Sequence, residues 1–264
     1  MDILVCMKQV PDTEAKIVVN PEGTGIVTDG IKYVMNPYDE FAVEEALKIK
    51  EKSGGSVTVV CMGPQRSTEA IRTGLAMGAD KGVHLCDDAF EGADSYSTAK
   101  ALAAAIKPLT YDIILGGKQA VDNDNAQVYA ALAELLDISH VSIVTQLDIA
   151  DDGKSAVAQR EVEGGAKEVI QVSLPAVIAC QKGLNEPRYA SLPGIMKAKK
   201  KPIDVVDVAA SGLSADEVGE KGAKLKTVKY ALPPEREAGK VLEGEPEELA
   251  TQVVKLLREE AKAI

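Results

Sequence analysis

Short apolar runs alternate with segments of helical periodicity through the first two-thirds of the chain, and this alternation limits the possible folds more than any other sequence feature. Strands are predicted at residues 3–7, 57–62, 83–86 and 113–115. Strands that alternate with helices in this way form right-handed βαβ units, whose parallel sheet is covered by helices on both faces. The sequence therefore predicts an α/β fold with a doubly wound, mostly parallel sheet.

Four helices are predicted around these strands, at residues 37–52, 67–77, 95–106 and 125–136. Asn36 is a suitable N-cap for the first helix, because its side chain can accept a bond from a free backbone N–H, and Pro37 suits the first helical position. Gly78 is a typical residue at the end of the second helix.

The later part of the chain has a different pattern. Runs at 157–162 and 168–172 flank Glu163-Gly164-Gly165-Ala166, which predicts a β-hairpin extension. A further strand is predicted at 176–180, after Pro175.

Beyond this strand, residues 183–202 lack periodicity and are interpreted as a loop. Residues 203–264 are acidic and poor in large apolar side chains, and they close with a helix predicted at 246–262. We therefore predict an α/β domain at 1–202, which includes the loop, and a C-terminal arm at 203–264 that packs on something other than its own core.

Composition excludes several classes of function. Lys and Arg number 30 against 41 for Asp and Glu, a net charge of −11, whereas general nucleic-acid binding needs a basic surface. Every stretch without a charged residue is shorter than the about 20 apolar residues that a membrane-spanning helix needs, and the N-terminus is typical of a strand, so we expect a cytoplasmic protein. The four cysteines contain no CxxC pair, which favours buried thiols over a zinc site or disulfides.

Ligands of open parallel sheets bind at the carboxyl ends of the strands, and the loop after residues 113–115 has suitable chemistry there. Gly116 and Gly117 allow close backbone approach, Lys118 supplies a cation, and the polar tract opens a helix whose free N–H groups suit a phosphate. An ordinary glycine turn followed by a helix capped by Asn123 or Asp124 explains the same residues.

Two other segments have weaker signals. Gly63-Pro64-Gln65-Arg66-Ser67 suits either a pyrophosphate or a plain strand-to-helix turn, and the basic run at 197–201 suits phosphates, an acidic partner or solvent. Neither GxGxxG nor GxxxxGK[ST] occurs. The residues alone thus indicate a nucleotide-binding α/β protein without hydrolytic machinery of its own.

The stretch Asn185-Glu186-Pro187-Arg188-Tyr189-Ala190-Ser191-Leu192-Pro193-Gly194-Ile195-Met196-Lys197-Ala198-Lys199-Lys200-Lys201 resembles the signature of electron transfer flavoprotein β subunits. The resemblance extends over nearly the whole chain, through residues 5–10, 27–30, 35–40, 70–80 and 117–120. It implies a Rossmann-like fold of the adenine nucleotide α-hydrolase type. It also implies a heterodimer with an α subunit that holds the redox-active FAD, while this chain holds a second adenine nucleotide.

The resemblance also assigns residues to two sites. In the family Tyr38 approaches the α-subunit flavin, and Leu192 anchors the subunit in a pocket of an acyl-CoA dehydrogenase. The implied cofactor-binding residues are Cys6, Asn36, Pro37, Tyr38, Asp39, Met62, Gly117, Lys118, Gln119, Ala120, Val121, Asp122, Asn123, Asp124, Asn125, Ala126, Gln127 and Val128. The implied docking residues are Leu192, Pro193, Ile195, Met196, Lys197, Lys199 and Lys200, with Lys201 beside them.

The loop at residues 122–128 resembles that of electron-bifurcating members, which hold FAD in place of AMP. Asn125, Ala126 and Val128 stand where AMP-binding members carry Cys, Asn and Thr, which removes bulk and a hydroxyl near the phosphate end. This resemblance implies NADH as electron donor, an acyl-CoA dehydrogenase of the butyryl-CoA type as one acceptor and ferredoxin or flavodoxin as the other. The alternatives are a non-bifurcating β subunit with structural AMP, and a stand-alone ATP-binding module of the universal-stress-protein type.

Overall fold

A computed structural model describes residues 1–234 and 238–264. The strands are β1 (Asp2–Met7), β2 (Gln9–Pro11), β3 (Tyr33–Met35), β4 (Ser56–Met62), β5 (Lys81–Leu85), β6 (Ile113–Gly117), β7 (Ser139–Ile149), β8 (Ser155–Glu161), β9 (Lys167–Ser173), β10 (Ala176–Cys180) and β11 (Ile203–Val206). The helices are α1 (Pro37–Ser53), α2 (Thr68–Met77), α3 (Ser95–Ile106), α4 (Val128–Leu136), α5 (Leu192–Ala198), α6 (Gly219–Gly222) and α7 (Pro246–Glu259).

Nine strands form one sheet in the order β11-β5-β4-β1-β6-β10-β7-β8-β9. The strands from β11 to β7 are parallel, and β8 and β9 extend the sheet as the predicted antiparallel hairpin. β2 and β3 pair separately. Strand order reverses at β1, which has β4 and β5 on one side and β6 on the other. The predicted mostly parallel α/β fold is confirmed.

Helices cover both faces of the sheet, because successive side chains of its central strands point to opposite faces and are buried on each of them. Along β1, Ile3 and Val5 pack into the core beneath α1 and α2, whereas Leu4 and Cys6 pack against α3 and α4. Buried on both faces, such a strand is apolar at nearly every position.

Two elements differ from the prediction for reasons of local conformation. Helix α4 begins at Val128 instead of 125, because Asp124 and Ala126 have φ of 50° and 53°, outside the helical region. The segment interpreted as a loop contains the helix α5, which begins after Ser191, whose hydroxyl accepts a bond from the backbone N–H of Gly194 at 3.1 Å.

Part of the segment beyond residue 202 packs on the sheet and on α3. Strand β11 pairs with β5 at the edge of the sheet, and Val208 and Val218 are buried with α3. In contrast, among the described residues none of helix α7 is buried. No helix of the described residues is both long and apolar enough to cross a membrane.

Candidate nucleotide-binding site

A cavity of about 800 Å³ opens at the carboxyl ends of β1, β4, β5 and β6. It therefore lies where the strand order reverses, the usual ligand position in an open α/β sheet. The loop that follows β6 forms one wall, and the segment from Cys86 to the first turn of α3 forms another.

Asn36 ties the loop after β6 to the loop after β1. Its Nδ2 donates to the carbonyl of Gln119 at 2.9 Å, and its Oδ1 accepts from the N–H of Val121 at 3.1 Å. Its own backbone N–H donates to the carbonyl of Lys8 at 2.9 Å. Asn36 does precede α1 as predicted, but its side chain shapes the candidate site instead of capping the helix.

Asp39 joins the same two strand ends one turn further along α1. Its carboxylate accepts from the backbone N–H of Lys8 at 2.7 Å and from that of Gly117 at 2.9 Å. Burial raises the pKa of Asp39 to about 7, although both backbone N–H donors favour its ionised form. The first turn of α1 thus sets the separation between β1 and β6 at the cavity.

The two glycines that end β6 make room for protein groups, where the sequence predicted room for a ligand. A Cβ on Gly116 would overlap the ring of Tyr129, whose hydroxyl donates to the carbonyl of Cys6 at 3.0 Å. A Cβ on Gly117 would overlap Tyr38 and Asp39. Glycine is needed here because helices α1 and α4 both begin against this strand end.

The loop from Lys118 to Gln127 is fixed mainly by its own polar side chains. Lys8 Nζ pairs with Asp122 at 2.6 Å, and Gln119 Nε2 donates to Asp124 at 2.6 Å. Across the cavity, Asn125 Nδ2 donates to the hydroxyl of Ser95 at 3.2 Å. This last bond connects the loop to the start of α3.

The wall that ends in α3 was not predicted to belong to the site. Asp94 forms a capping box with Ser97, since each side chain accepts from the other residue's backbone N–H. The spacing of these two residues is a readable helix-start signal. The weaker candidate Gly63-Pro64-Gln65-Arg66 also lines the cavity, and its turn is held by His84, whose Nε2 lies 3.0 Å from the Gly63 carbonyl.

Most of the residues implied by the resemblance come together at this cavity. Pro37, Tyr38, Val121, Asp122 and Asp124 do not line it. Three of them, Val121, Asp122 and Asp124, nevertheless hold the loop in place through their hydrogen bonds or ion pair. The implied residues that line the cavity are Cys6, Asn36, Asp39, Met62, Gly117, Lys118, Gln119, Ala120, Asn123, Asn125, Ala126, Gln127 and Val128.

None of the four cysteines, all of which lie in the described part of the chain, is paired in a disulfide, and Cys6, Cys61 and Cys180 are buried whereas Cys86 is partly exposed. Burial raises the pKa of Cys6, Cys61 and Cys180 well above the ordinary thiol value, so these three side chains are neutral. Within residues 1–234 and 238–264, no group of three His, Cys, Asp or Glu side chains is arranged to hold a metal ion.

The implied docking residues lie away from the cavity, on and around α5. Tyr189, Leu192, Ile195 and Met196 form an apolar patch, with 99%, 75%, 44% and 59% of each residue exposed. Lys197, Lys199 and Lys200 are exposed beside this patch. Lys201 differs from the other lysines, because its Nζ donates to the carbonyls of Leu75 and Ala79.

Comparisons with known proteins agree with these observations. A model of the electron transfer flavoprotein domain matches residues 24–211. The electron transfer flavoprotein subunit beta of Bacillus subtilis is 46% identical, with 100% of both chains covered. That of Syntrophomonas wolfei is 42% identical, covering 99% of this chain and 98% of its own. Subunit CarD of the caffeyl-CoA reductase-Etf complex of Acetobacterium woodii is 39% identical, covering 98% of each chain.

Residues 117–128 form one wall of the cavity, the stretch around α5 forms an exposed apolar patch, and the relatives match this chain almost end to end. The chain belongs to the electron transfer flavoprotein β-subunit family.

Proposed function

We propose that this electron transfer flavoprotein β subunit pairs with an α subunit that carries FAD and holds a second FAD in its own cavity. Electrons enter from NADH and leave singly, one toward the α subunit and an acyl-CoA dehydrogenase, the other toward ferredoxin or flavodoxin. The observation that carries the proposal is the extent of the cavity.

The cavity continues well beyond the loop that would hold an adenine nucleotide. From Lys118 and Ala126 it passes Met62 and Arg66 and reaches Phe90 and the start of α3. At about 800 Å³ it lies toward the upper end of the about 300–1,000 Å³ that enclose drug-sized ligands. A dinucleotide uses such length, whereas a mononucleotide would leave much of it to water.

The cationic and acidic side chains of the cavity wall come from different strand exits. Arg66 and Lys118 lie at the exits of β4 and β6, whereas Asp87, Asp88 and Glu91 follow β5. A pyrophosphate suits the part of the cavity near Arg66 and Lys118, whose side chains can bond its oxygens. The acidic segment after β5 disfavours phosphate and leaves room for the uncharged part of a flavin.

When bound, FAD supplies hydride acceptance and single-electron transfer, and the protein's contribution is to bind and orient it. Asn36 and Asp39 fix the loop after β6, and the Lys8–Asp122 pair closes its outer side. The thiol of Cys6 lies on the cavity wall. Because burial keeps this thiol neutral, it does not act as a nucleophile.

We assign the apolar patch to the dehydrogenase partner and the C-terminal arm to the α subunit. Leu192 is the most exposed aliphatic side chain of the patch, and burying one leucine stabilises a complex by about 1.5–3 kcal/mol. In Acetobacterium woodii, the similar subunit CarD is named as part of a complex with caffeyl-CoA reductase. This supports a partner that acts on acyl-CoA compounds.

The proposal is tested by anaerobic electron transfer with the purified heterodimer, NADH, ferredoxin and a butyryl-CoA dehydrogenase. We expect ferredoxin reduction to require the dehydrogenase and its enoyl-CoA substrate, because the uphill electron depends on the downhill one. Ferredoxin reduction at full rate without that substrate would refute bifurcation.

A further inference from the structure

The apolar patch lies on a segment with little core of its own, yet it is attached firmly at both ends. Ala198 of helix α5 is buried, whereas Leu192, Ile195 and Met196 point away from the body. The position of these exposed side chains therefore depends on the polar groups that tie the segment to α1 and α2.

Arg188 makes the attachment that precedes the patch. Its Nε and Nη2 bind the two carboxylate oxygens of Glu44 at 2.8 and 2.9 Å, and its backbone N–H donates to the same residue at 3.1 Å. Its Nη1 and Nη2 also reach Glu51 at 2.5 and 3.2 Å. We call these three residues the Arg188 clamp.

The clamp pairs one guanidinium with two carboxylates, one buried and one exposed. The side chain of Glu44 is only 7% exposed, so its carboxylate is largely removed from water. Arg188 is the charge that it pairs with there. Glu44 and Glu51 are two helical turns apart on one side of α1, which allows a single guanidinium to lie across both. These two carboxylates raise the pKa of Arg188 above its ordinary value.

A second attachment follows the patch. Arg72 of α2 donates to the carbonyls of Ala198 and Lys201 at 2.5 and 2.7 Å. Lys201 in turn donates to the carbonyls of Leu75 near the end of α2 and of Ala79 just beyond it. Gly194 lies so close to the carbonyl of Ala76 that a Cβ would overlap it. The segment that carries the patch is thus attached to α1 before the patch and to α2 after it.

We infer that Arg188 is a positioning residue for docking, which holds the apolar patch in its partner-binding orientation through Glu44 and Glu51. The inference rests on the proposed docking function of the patch. A patch held in its bound conformation loses less entropy on association, so the clamp contributes to affinity without touching the partner. Lysine cannot replace it, because an ammonium does not bind two carboxylates in fork geometry.

The test compares Arg188→Lys, Leu192→Ala and the double variant in the assembled heterodimer, with butyryl-CoA dehydrogenase as the partner. We expect Arg188→Lys to raise the KM for the dehydrogenase about tenfold, the order seen for coupled side chains. Leu192→Ala should raise it about 10- to 100-fold, and the double variant little more than Leu192→Ala alone. Flavin content and reduction by NADH should stay unchanged.

Glu51→Gln provides a milder variant, because Glu51 is exposed and Arg188 keeps its bonds to Glu44. We expect a smaller KM increase in the same direction. Glu134→Gln, on the exposed side of α4 across the sheet, is the matched control and should leave the KM unchanged.

The outcomes distinguish the docking role of the patch from the positioning role of Arg188. An unchanged KM in Leu192→Ala would refute the docking assignment itself. If Leu192→Ala acts but Arg188→Lys does not, or if their effects multiply fully in the double variant, the clamp does not position the patch and the inference is wrong.

Discussion

The amide of Asn36 connects the two loops of the candidate site, so its removal tests the site residue by residue. Asn36→Ala deletes the bonds to Gln119 and Val121, each worth about 0.5–1.5 kcal/mol, and we expect β-site nucleotide affinity to fall roughly tenfold. The measurement is nucleotide and flavin content after extensive dialysis. The α-subunit flavin serves as the internal control, and equal loss at both sites would contradict the assignment.

The raised pKa of Asp39 predicts that the stability of the folded chain depends on pH. Its pKa is raised by burial from 3.8 to about 7, so between these values the folded chain keeps a proton that the unfolded chain releases. The contribution of Asp39 to stability therefore falls as pH rises through this window, and it is constant above about pH 7.

The check is a comparison of the unfolding midpoints of wild type and Asp39→Asn across about pH 4.5 to 8.5. The variant cannot titrate at this position, although it loses one acceptor oxygen at every pH. We expect the stability advantage of wild type to shrink toward pH 7. Parallel curves would show that Asp39 remains ionised throughout.

Single residues illustrate what sequence alone can and cannot predict about the site. The loop after β6 was predicted from Gly116, Gly117 and Lys118, and it does line the cavity. The partners of Asn36 and Asp39 were not predictable, since Gln119 and Gly117 are some 80 positions away along the chain. The glycines themselves accommodate Tyr129 and Tyr38, which local sequence cannot reveal.

At the scale of elements, the approach of α4 to β6 gives a prediction about packing. Gly116→Ala places a methyl group against the ring of Tyr129, and overpacking of this kind costs about 1–3 kcal/mol. We expect a lower unfolding midpoint together with weaker nucleotide binding. Gly25→Ala is the control, because its nearest neighbouring atom lies 4.0 Å away, and it should leave both unchanged.

The helices and strands that were predicted well are those with strong local signals. Helix α3 has the predicted bounds, and α1 and α2 differ from prediction by one residue at one end. Strand β7 was missed: its long run is irregular, with Ile143 at φ 60°, so no simple alternation survives. The edge strand β11 was missed because four residues carry little signal until they meet β5.

For the whole molecule, the exposed helix α7 of the C-terminal arm predicts where the α subunit binds. Val253, Val254 and Leu257 of α7 are 42%, 45% and 38% exposed, and a helix with such a side needs a partner surface. Deleting residues 244–264 should weaken heterodimer association while the sheet remains folded. Size-exclusion chromatography and circular dichroism measure the two effects, and an intact heterodimer would contradict the assignment.

The central claim is that the cavity of this chain holds FAD and not AMP. Its most direct test is to denature the purified heterodimer and to quantify the released FAD and AMP by chromatography. We expect two FAD and no AMP per heterodimer, because the cavity extends from the loop after β6 to the start of α3. One FAD together with one AMP would contradict the claim and identify a non-bifurcating β subunit.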